Sequence, residues 1–260
     1  MNLGILTNLH DPLLFYYIKE IKNIKKLKLF IIFSYIDPIK VKKNKKIFKD
    51  RTLNYFYNQL NQSYIKKNLN KIYFVRSHND YRVIDIVKNN RIDYLFNSGA
   101  HEKIKLNIIK SSKGIINIHP GLLPQYRGCT CVEWSLFNSF PLGITAHFMS
   151  SKYDCGNIIS KEFVKLNKNF KYRDIRIQVY KAAINLLSKV IKKIHLQKFH
   201  KIKQDEKLSN FFKVIDNQKL NLIKKNLNSS KFFFRKENLF SKKYNRILIK
   251  NNLNFYDSKE

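Results

Sequence analysis

An open α/β domain, with a mostly parallel sheet and helices on both faces, is the fold this sequence predicts. Three observations carry that prediction. Short apolar runs alternate with longer segments of helical periodicity from Leu3 to about Leu196. The chain has 260 residues, 44% of them hydrophobic, enough to bury one full core. Its densest group of reactive side chains falls where a strand ends, which is where open α/β sheets bind ligands.

Leu3 to Thr7 is the first apolar run, and Pro12 to Ile24 repeats Leu14, Tyr17, Ile18 and Ile21 at helical spacing. Leu29 to Ser34 reads as a second buried strand. Between Pro38 and Asn70 the pattern is ambiguous; the lysines from Lys42 to Lys46 suggest a loop and Thr52 to Leu60 a helix. Ile72 to Val75 is a third strand, Tyr81 to Lys88 a helix, and Ile92 to Asn97 a fourth strand ending at Ser98-Gly99-Ala100. A helix over Glu102 to Lys110 leads to a strand over Ile115 to Ile118. Thr130 to Phe137 is helical. Ile144 to Met149 and Ile158 to Val164 are strands joined by a loop that carries Asp154. Arg173 to Ile194 is the longest helical pattern. Residues 1–197 then form one domain. Residues 198–260, rich in Lys, Asn and Phe and without glycine, form a small C-terminal appendage packed on it, because Phe211, Phe212, Phe232, Phe233, Phe234, Phe240 and Tyr244 are too many aromatics for a solvated tail.

No run approaches the roughly 18–20 apolar residues of a membrane span, so no membrane partner is expected. Met1 to Ile5 lacks a basic n-region and a small-residue cleavage site, so no secretory signal is expected. Three cysteines, with Cys129 and Cys131 two apart, form neither a disulfide framework nor a zinc site; a reducing cytoplasm and no metal are the expectation. The net charge of +33 invites a nucleic-acid reading. The lysines are spread from Lys19 to Lys259 among Asn and Ile, however, as AT-rich coding alone would produce. Attraction for a pyrophosphate-bearing substrate or RNA is the alternative.

The reactive group is Asn117-Ile118-His119-Pro120-Gly121-Leu122-Leu123-Pro124, then Tyr126-Arg127-Gly128 and Tyr153-Asp154-Cys155-Gly156. Asn117 and His119, two apart at a strand end, point the same way and could donate to a developing oxyanion. Pro120, Gly121 and Pro124 stiffen the loop behind them. Asp154, arriving from a neighbouring strand, could orient His119 or accept a proton from an amine; taken alone, Asp154 before Gly156 would be only an Asx-turn. Both His119 and Asp154 are expected on a solvent-reachable crevice. His147, alternating with Thr145 and Met149, reads as structural, Cys155 as a bystander, and Trp134 as a core anchor. A nucleophile elbow, a phosphate loop and a Gly-x-Gly-x-x-Gly turn are all absent from the sequence.

At these residues the chain resembles the folate-dependent formyltransferases, the family of the methionyl-tRNA, glycinamide-ribonucleotide and amino-sugar enzymes. The likeness lies in Asn117 to Pro124, Arg127-Gly128, Gly143-Ile144-Thr145-Ala146-His147 and Asp154-Cys155-Gly156-Asn157-Ile158-Ile159. It is strongest from Ile92 to Val164. The resemblance implies a Rossmann-like fold, 10-formyltetrahydrofolate as co-substrate, and Asn117, His119 and Asp154 as the catalytic set. It also implies a pterin cradle at Asn97, Ser98, Gly99, Ala100 and the loop carrying Tyr153.

Two departures bear on the acceptor. Cys129-Thr130-Cys131-Val132-Glu133-Trp134 stands where the tRNA enzyme has an Ala-Ala-Pro-type run, and residues 198–260 are short for a nucleic-acid domain. Met1 to Pro12, with Asn8-Leu9-His10-Asp11, shows no glycine-rich phosphate loop of the glycinamide-ribonucleotide kind. A small-molecule amine, foremost an amino-deoxy sugar nucleotide, is therefore the expected acceptor. Initiator tRNA, glycinamide ribonucleotide and non-catalytic RNA binding are the alternatives. The appendage is expected to border the amine pocket or to form a homodimer contact.

Overall fold

The computed structural model describes residues 1–57, 62–167 and 169–228. Seven strands form one sheet in the order β3-β2-β1-β4-β5-β7-β8. They are β1 (Asn2–Thr7), β2 (Lys28–Ser34), β3 (Lys71–Val75), β4 (Tyr94–Asn97), β5 (Ile115–His119), β7 (Gly143–Phe148) and β8 (Ile158–Phe163). The first five are mutually parallel; β7 runs antiparallel to β5, and β8 to β7. Because β1 lies between β2 and β4, the strand order reverses there, leaving a crevice at the carboxyl ends of β1 and β4.

Period-2 alternation sorts the strand side chains onto two faces. Leu3, Ile5, Leu29, Ile31 and Phe33 pack under α1 (Leu14–Ile21) and α7 (Tyr172–His195), whose inner stripe includes Ile175, Val179, Leu186, Leu187, Val190 and Ile191. Leu6, Ile32, Leu95 and Ile115 face the other way, against Val83 and Val87 of α4 (Tyr81–Asn89) and Ile108 of α5 (Leu106–Ile109). The expected two-faced arrangement is thus present. Among the described residues, no helix is long and apolar enough to cross a membrane.

The ambiguous region resolves differently from the expectation. Lys42 to Lys46 are not a loop but the middle of α2 (Pro38–Thr52), and the chain leaves the helix at Leu53 and Asn54, both with positive φ, where a helix was expected to begin. Residues 58–60 of that expected helix lie outside the described ones. Only Thr52 of α2 is fully buried, so hydrophobic periodicity could not reveal it. What starts it is local: Asp37 accepts from the backbone N–H of Ile39 and Lys40, and Pro38 occupies the first turn. After α3 (Gln62–Asn68) the chain enters β3. The expected helix over Glu102 to Lys110 shrinks to α5, because the Glu102 carboxylate accepts from Ser77 Oγ, His78 N and Asn79 Nδ2 instead, and Asn79 Oδ1 takes the N–H of Lys105.

Beyond α7 the chain turns back onto the sheet edge. Ile202 bridges Ile158, and β9 (Phe211–Phe212) pairs with β6 (Arg127–Gly128) in a second, two-stranded sheet. Trp134 on α6 (Cys131–Phe137) donates Nε1 to Lys213 O, and Phe212 stacks on Tyr126 at 4.8 Å. The last described helix, α8 (Asn217–Asn228), carries a buried Ile223. Phe232, Phe233, Phe234, Phe240 and Tyr244 lie outside the described residues.

Candidate active site

Asn117 and Asn97 are partners in the β4–β5 register, and Asn117 and His147 are partners between β5 and β7. This lines up a row of amides and imidazole across three strands. Ala100 N–H donates to Asn97 Oδ1 (3.0 Å), Asn97 Nδ2 to Asn117 Oδ1 (3.1 Å), and Asn117 Nδ2 to His147 Nε2 (3.1 Å). His147 Nδ1 in turn donates to Phe148 O at 2.9 Å, which fixes its tautomer. The row therefore settles the Asn117 orientation: oxygen toward Asn97, nitrogen toward His147, with a second amide hydrogen left to donate elsewhere. Burial, with neighbouring His119 adding to it, pulls the His147 pKa down to about 4, so the ring is neutral at ordinary pH.

His119 closes β5. Its Nε2 meets the carbonyl of Tyr126 at 2.6 Å, so Nε2 carries the hydrogen and Nδ1 faces outward with its lone pair. Asp154 Oδ1 stands 3.5 Å from that Nδ1 and 3.7 Å from His147 Nε2. Two lone pairs therefore face each other across the His119–Asp154 gap. The other carboxylate oxygen of Asp154 is held by the N–H of Gly128 at 2.9 Å.

Burial departs from the expectation. His119 is 4% exposed, not on an open crevice; Asp154 is the partly exposed member, its side chain 15% exposed. The loop after β5 covers His119. Thr145 Oγ1 donates to Gly121 O and accepts from Leu123 N, and a Cβ at Gly121 would lie 2.9 Å from His119 Nε2. Glycine is required there for the loop to close over the ring.

The residues expected to cradle a pterin are spread over two loops. Ser98 donates to Asp11 Oδ2 at 2.6 Å, and Gly99 O accepts from Asn8 Nδ2 at 2.9 Å, so this turn is tied to the loop after β1. Asp11 is itself buried and also accepts from Thr7 Oγ1 and Leu13 N; burial raises its pKa against those bonds. Tyr153 is exposed, with Lys103 Nζ 5.2 Å from its ring centre, so the loops after β4 and β7 meet at that point.

Three contributors stand outside the set marked in the sequence. His147 lies in the cluster, and its signal was the antiparallel β5–β7 register that sets it opposite Asn117. From beyond α7, Gln204 reaches the Asp154 turn and Glu206 reaches Arg127, and nothing in their local sequence announces it. Cys155 keeps its thiol on the Tyr153 carbonyl at 3.0 Å. A separate pocket of about 490 Å³ lies at the carboxyl ends of β1 and β2, lined by Leu9, His10, Tyr35, Lys42 and Lys45 among others.

The formyl transferase family model matches residues 39–191. Over 149 residues the chain is 26% identical to the bifunctional polymyxin resistance protein ArnA of Wigglesworthia glossinidia brevipalpis, a match covering 56% of this chain and 23% of that protein. Over 126 residues it is 30% identical to the methionyl-tRNA formyltransferase of Mycoplasmopsis pulmonis, covering 48% of this chain and 44% of the relative. The chain thus spans less than half the length of either relative. Among solved structures, the N-formyltransferase of Helicobacter canadensis in complex with folinic acid and dTDP-3-aminofucose superposes with a TM-score of 0.58. The match covers 94% of this chain and 81% of that one at 19% identity, a likeness of fold.

Proposed function

Since the chain belongs to the formyl transferase family, we propose that it moves a formyl group from 10-formyltetrahydrofolate to the amine of a small acceptor, foremost an amino-deoxy sugar nucleotide. The observation that carries the reading is the convergence of Asn117, His119, His147 and Asp154, with one amide hydrogen and one proton-accepting pair left over. Those are the two things amide formation at a formyl carbon requires.

The residues fit a folate. Tyr153 offers an exposed ring with a lysine over it, and the loop at Asn97 to Ala100 adjoins Asn117 directly. The folate supplies the formyl carbon to be attacked. Asn117 Nδ2 donates its second hydrogen to the formyl oxygen as charge develops there, a contribution of ~3–4 kcal/mol for a preorganised donor. The Asp154–His119 pair takes the proton that the amine loses on forming its new C–N bond and passes it to the folate N10 as the formyl C–N10 bond breaks, so that tetrahydrofolate leaves. Tyr126 O holds His119 in the tautomer that leaves Nδ1 free for this. His147, neutral, keeps Asn117 aimed.

A phosphate-bearing acceptor is supported by the pocket beside β1 and β2, where Lys42 and Lys45 stand with His10 and an exposed Tyr35. The tRNA reading draws on the Mycoplasmopsis pulmonis relative and on α2, which presents Lys40, Lys42, Lys43, Lys45, Lys46 and Lys49 to solvent. The deciding experiment offers 10-formyltetrahydrofolate with amino-sugar nucleotides, glycinamide ribonucleotide and charged initiator tRNA in parallel. Formylation of the amino-sugar nucleotides is the expected result. Formylation of the tRNA alone refutes this choice of acceptor, and no transfer to any amine refutes the enzyme reading.

A further inference from the structure

Asp154 is held in a backbone conformation it would not choose. Its φ is +54°, the left-handed region, which for a residue other than glycine typically costs on the order of 1–3 kcal/mol and persists only where the surroundings enforce it. The enforcing group comes from beyond α7. Gln204, 6% exposed, donates Nε2 to the carbonyls of both Asp154 (2.8 Å) and Gly156 (2.7 Å). Its Oε1 accepts from Arg127 Nε (3.1 Å) and Nη2 (2.8 Å). The partners settle the amide's orientation, since a flip would set its oxygen against two carbonyls and its nitrogen against a guanidinium. Arg127 is gripped from the other side by Glu206, through Nη1 at 2.8 Å and Nη2 at 2.9 Å. The residue after Arg127 is Gly128, whose N–H holds the Asp154 carboxylate itself. Backbone and side chain of Asp154 are therefore fixed by one unit, the Arg127–Gly128 strand and the Gln204 amide.

We infer that Gln204 is a positioning residue for formyl transfer: braced by Arg127, its amide fixes the Asp154–Gly156 turn so that one carboxylate oxygen faces both imidazoles. This rests on the reading of Asp154 as proton acceptor. Hydrogen-bond donation to the two carbonyls is the active part. An acceptor in place of the Nε2 group would repel them, and an apolar group would leave them buried without a donor. A displacement of about 1 Å at a reacting group can lower turnover by ~100-fold, and the 3.5 Å His119–Asp154 separation leaves no slack for it.

The test is steady-state kinetics on Gln204→Met, which keeps the packing, and Gln204→Glu, which keeps the contact with Arg127 but cannot donate to carbonyls. Each is made alone and in an Asp154→Asn background. Both single variants should lose ~30- to 100-fold in kcat, with KM for folate and amine within about 3-fold. In the Asp154→Asn background, Gln204→Met should cost no further activity beyond about 2-fold, because what it positions is already gone. A merely structural glutamine would add its full loss there, and that result overturns the inference. Full turnover in Gln204→Glu overturns it too. Full turnover in both Gln204 variants while Asp154→Asn has lost ~100-fold sinks the inference and spares the reading beneath it. An active Asp154→Asn sinks the reading and the inference together.

Discussion

Gly156→Ala is a one-methyl perturbation whose consequences can be worked out in ångströms. A Cβ on Gly156 would fall 1.7 Å from the carbonyl oxygen of Phe148 and 2.8 Å from its carbon, where real Cβ contacts essentially never fall below 3.0 Å. The backbone must therefore open by at least 3.0 − 1.7 = 1.3 Å. Either side of that gap leads to the site. If the turn retreats, it carries Asp154 away from His119 and the Gly156 carbonyl away from Gln204. If Phe148 O retreats, it leaves the His147 Nδ1–H that locks the tautomer on which Asn117 depends. A misplacement of that size predicts a fall in kcat of ~100-fold. Overpacking of this kind costs about 1–3 kcal/mol in stability, or a Tm lower by ~2–12 °C at 2–4 °C per kcal/mol. A continuous assay of folate product gives the first number and a thermal melt the second. Wild-type kcat together with an unchanged Tm would refute the account of the turn.

Three further predictions are more direct. Asp154→Asn and His119→Ala should each lower formyl transfer by ~100-fold or more with the fold intact by circular dichroism, and unchanged turnover in either removes that residue from the mechanism. His147 is held neutral with its pKa pulled down to about 4, below the ordinary ~6.5 of an unfolded chain. Its contribution to stability is thus complete above ~6.5 and is lost as pH falls toward 4. Urea midpoints at pH 7.5 and pH 5 should differ more for wild type than for His147→Gln, and equal differences would contradict that burial. Replacing Lys42 and Lys45 together by Ala should raise KM for a pyrophosphate-bearing amine about 3- to 10-fold without lowering kcat; an unchanged KM at low salt excludes the pocket as the acceptor's anchor.

Strand positions were legible because each strand is a compact apolar run and the sheet needs both of its faces covered. α2 was not, because a helix lying almost wholly in solvent carries no apolar stripe. Its only written signals were Asp37-Pro38 at the start, a cap that a lysine-rich stretch obscured. Asn117, His119 and Asp154 could be singled out from their loops and their company. His147 could not be separated from an ordinary strand residue, since alternation says which face a side chain takes but not which strand lies beside it. The antiparallel turn of β7 against β5 decides that, and it is a property of the assembled sheet. The same holds for Gln204, which meets Asp154 across 50 positions of chain. The cover over His119 was written in part, as Pro120-Gly121, but its tightness depends on Thr145 arriving from β7.

The span between Asp154 and Gln204 also sets an order of assembly on the ribosome. A nascent chain released as far as α7 already holds the seven strands, both apolar layers and all four of Asn117, His119, His147 and Asp154. It still lacks the brace that keeps Asp154 in its left-handed turn and the strand that pairs with Arg127 and Gly128. Folding of the bulk and completion of the Asp154 turn are then separate events during synthesis, the second waiting until Gln204 to Phe212 have cleared the exit tunnel. A ribosome stalled between them would display a compact chain with the Asp154 turn not yet braced.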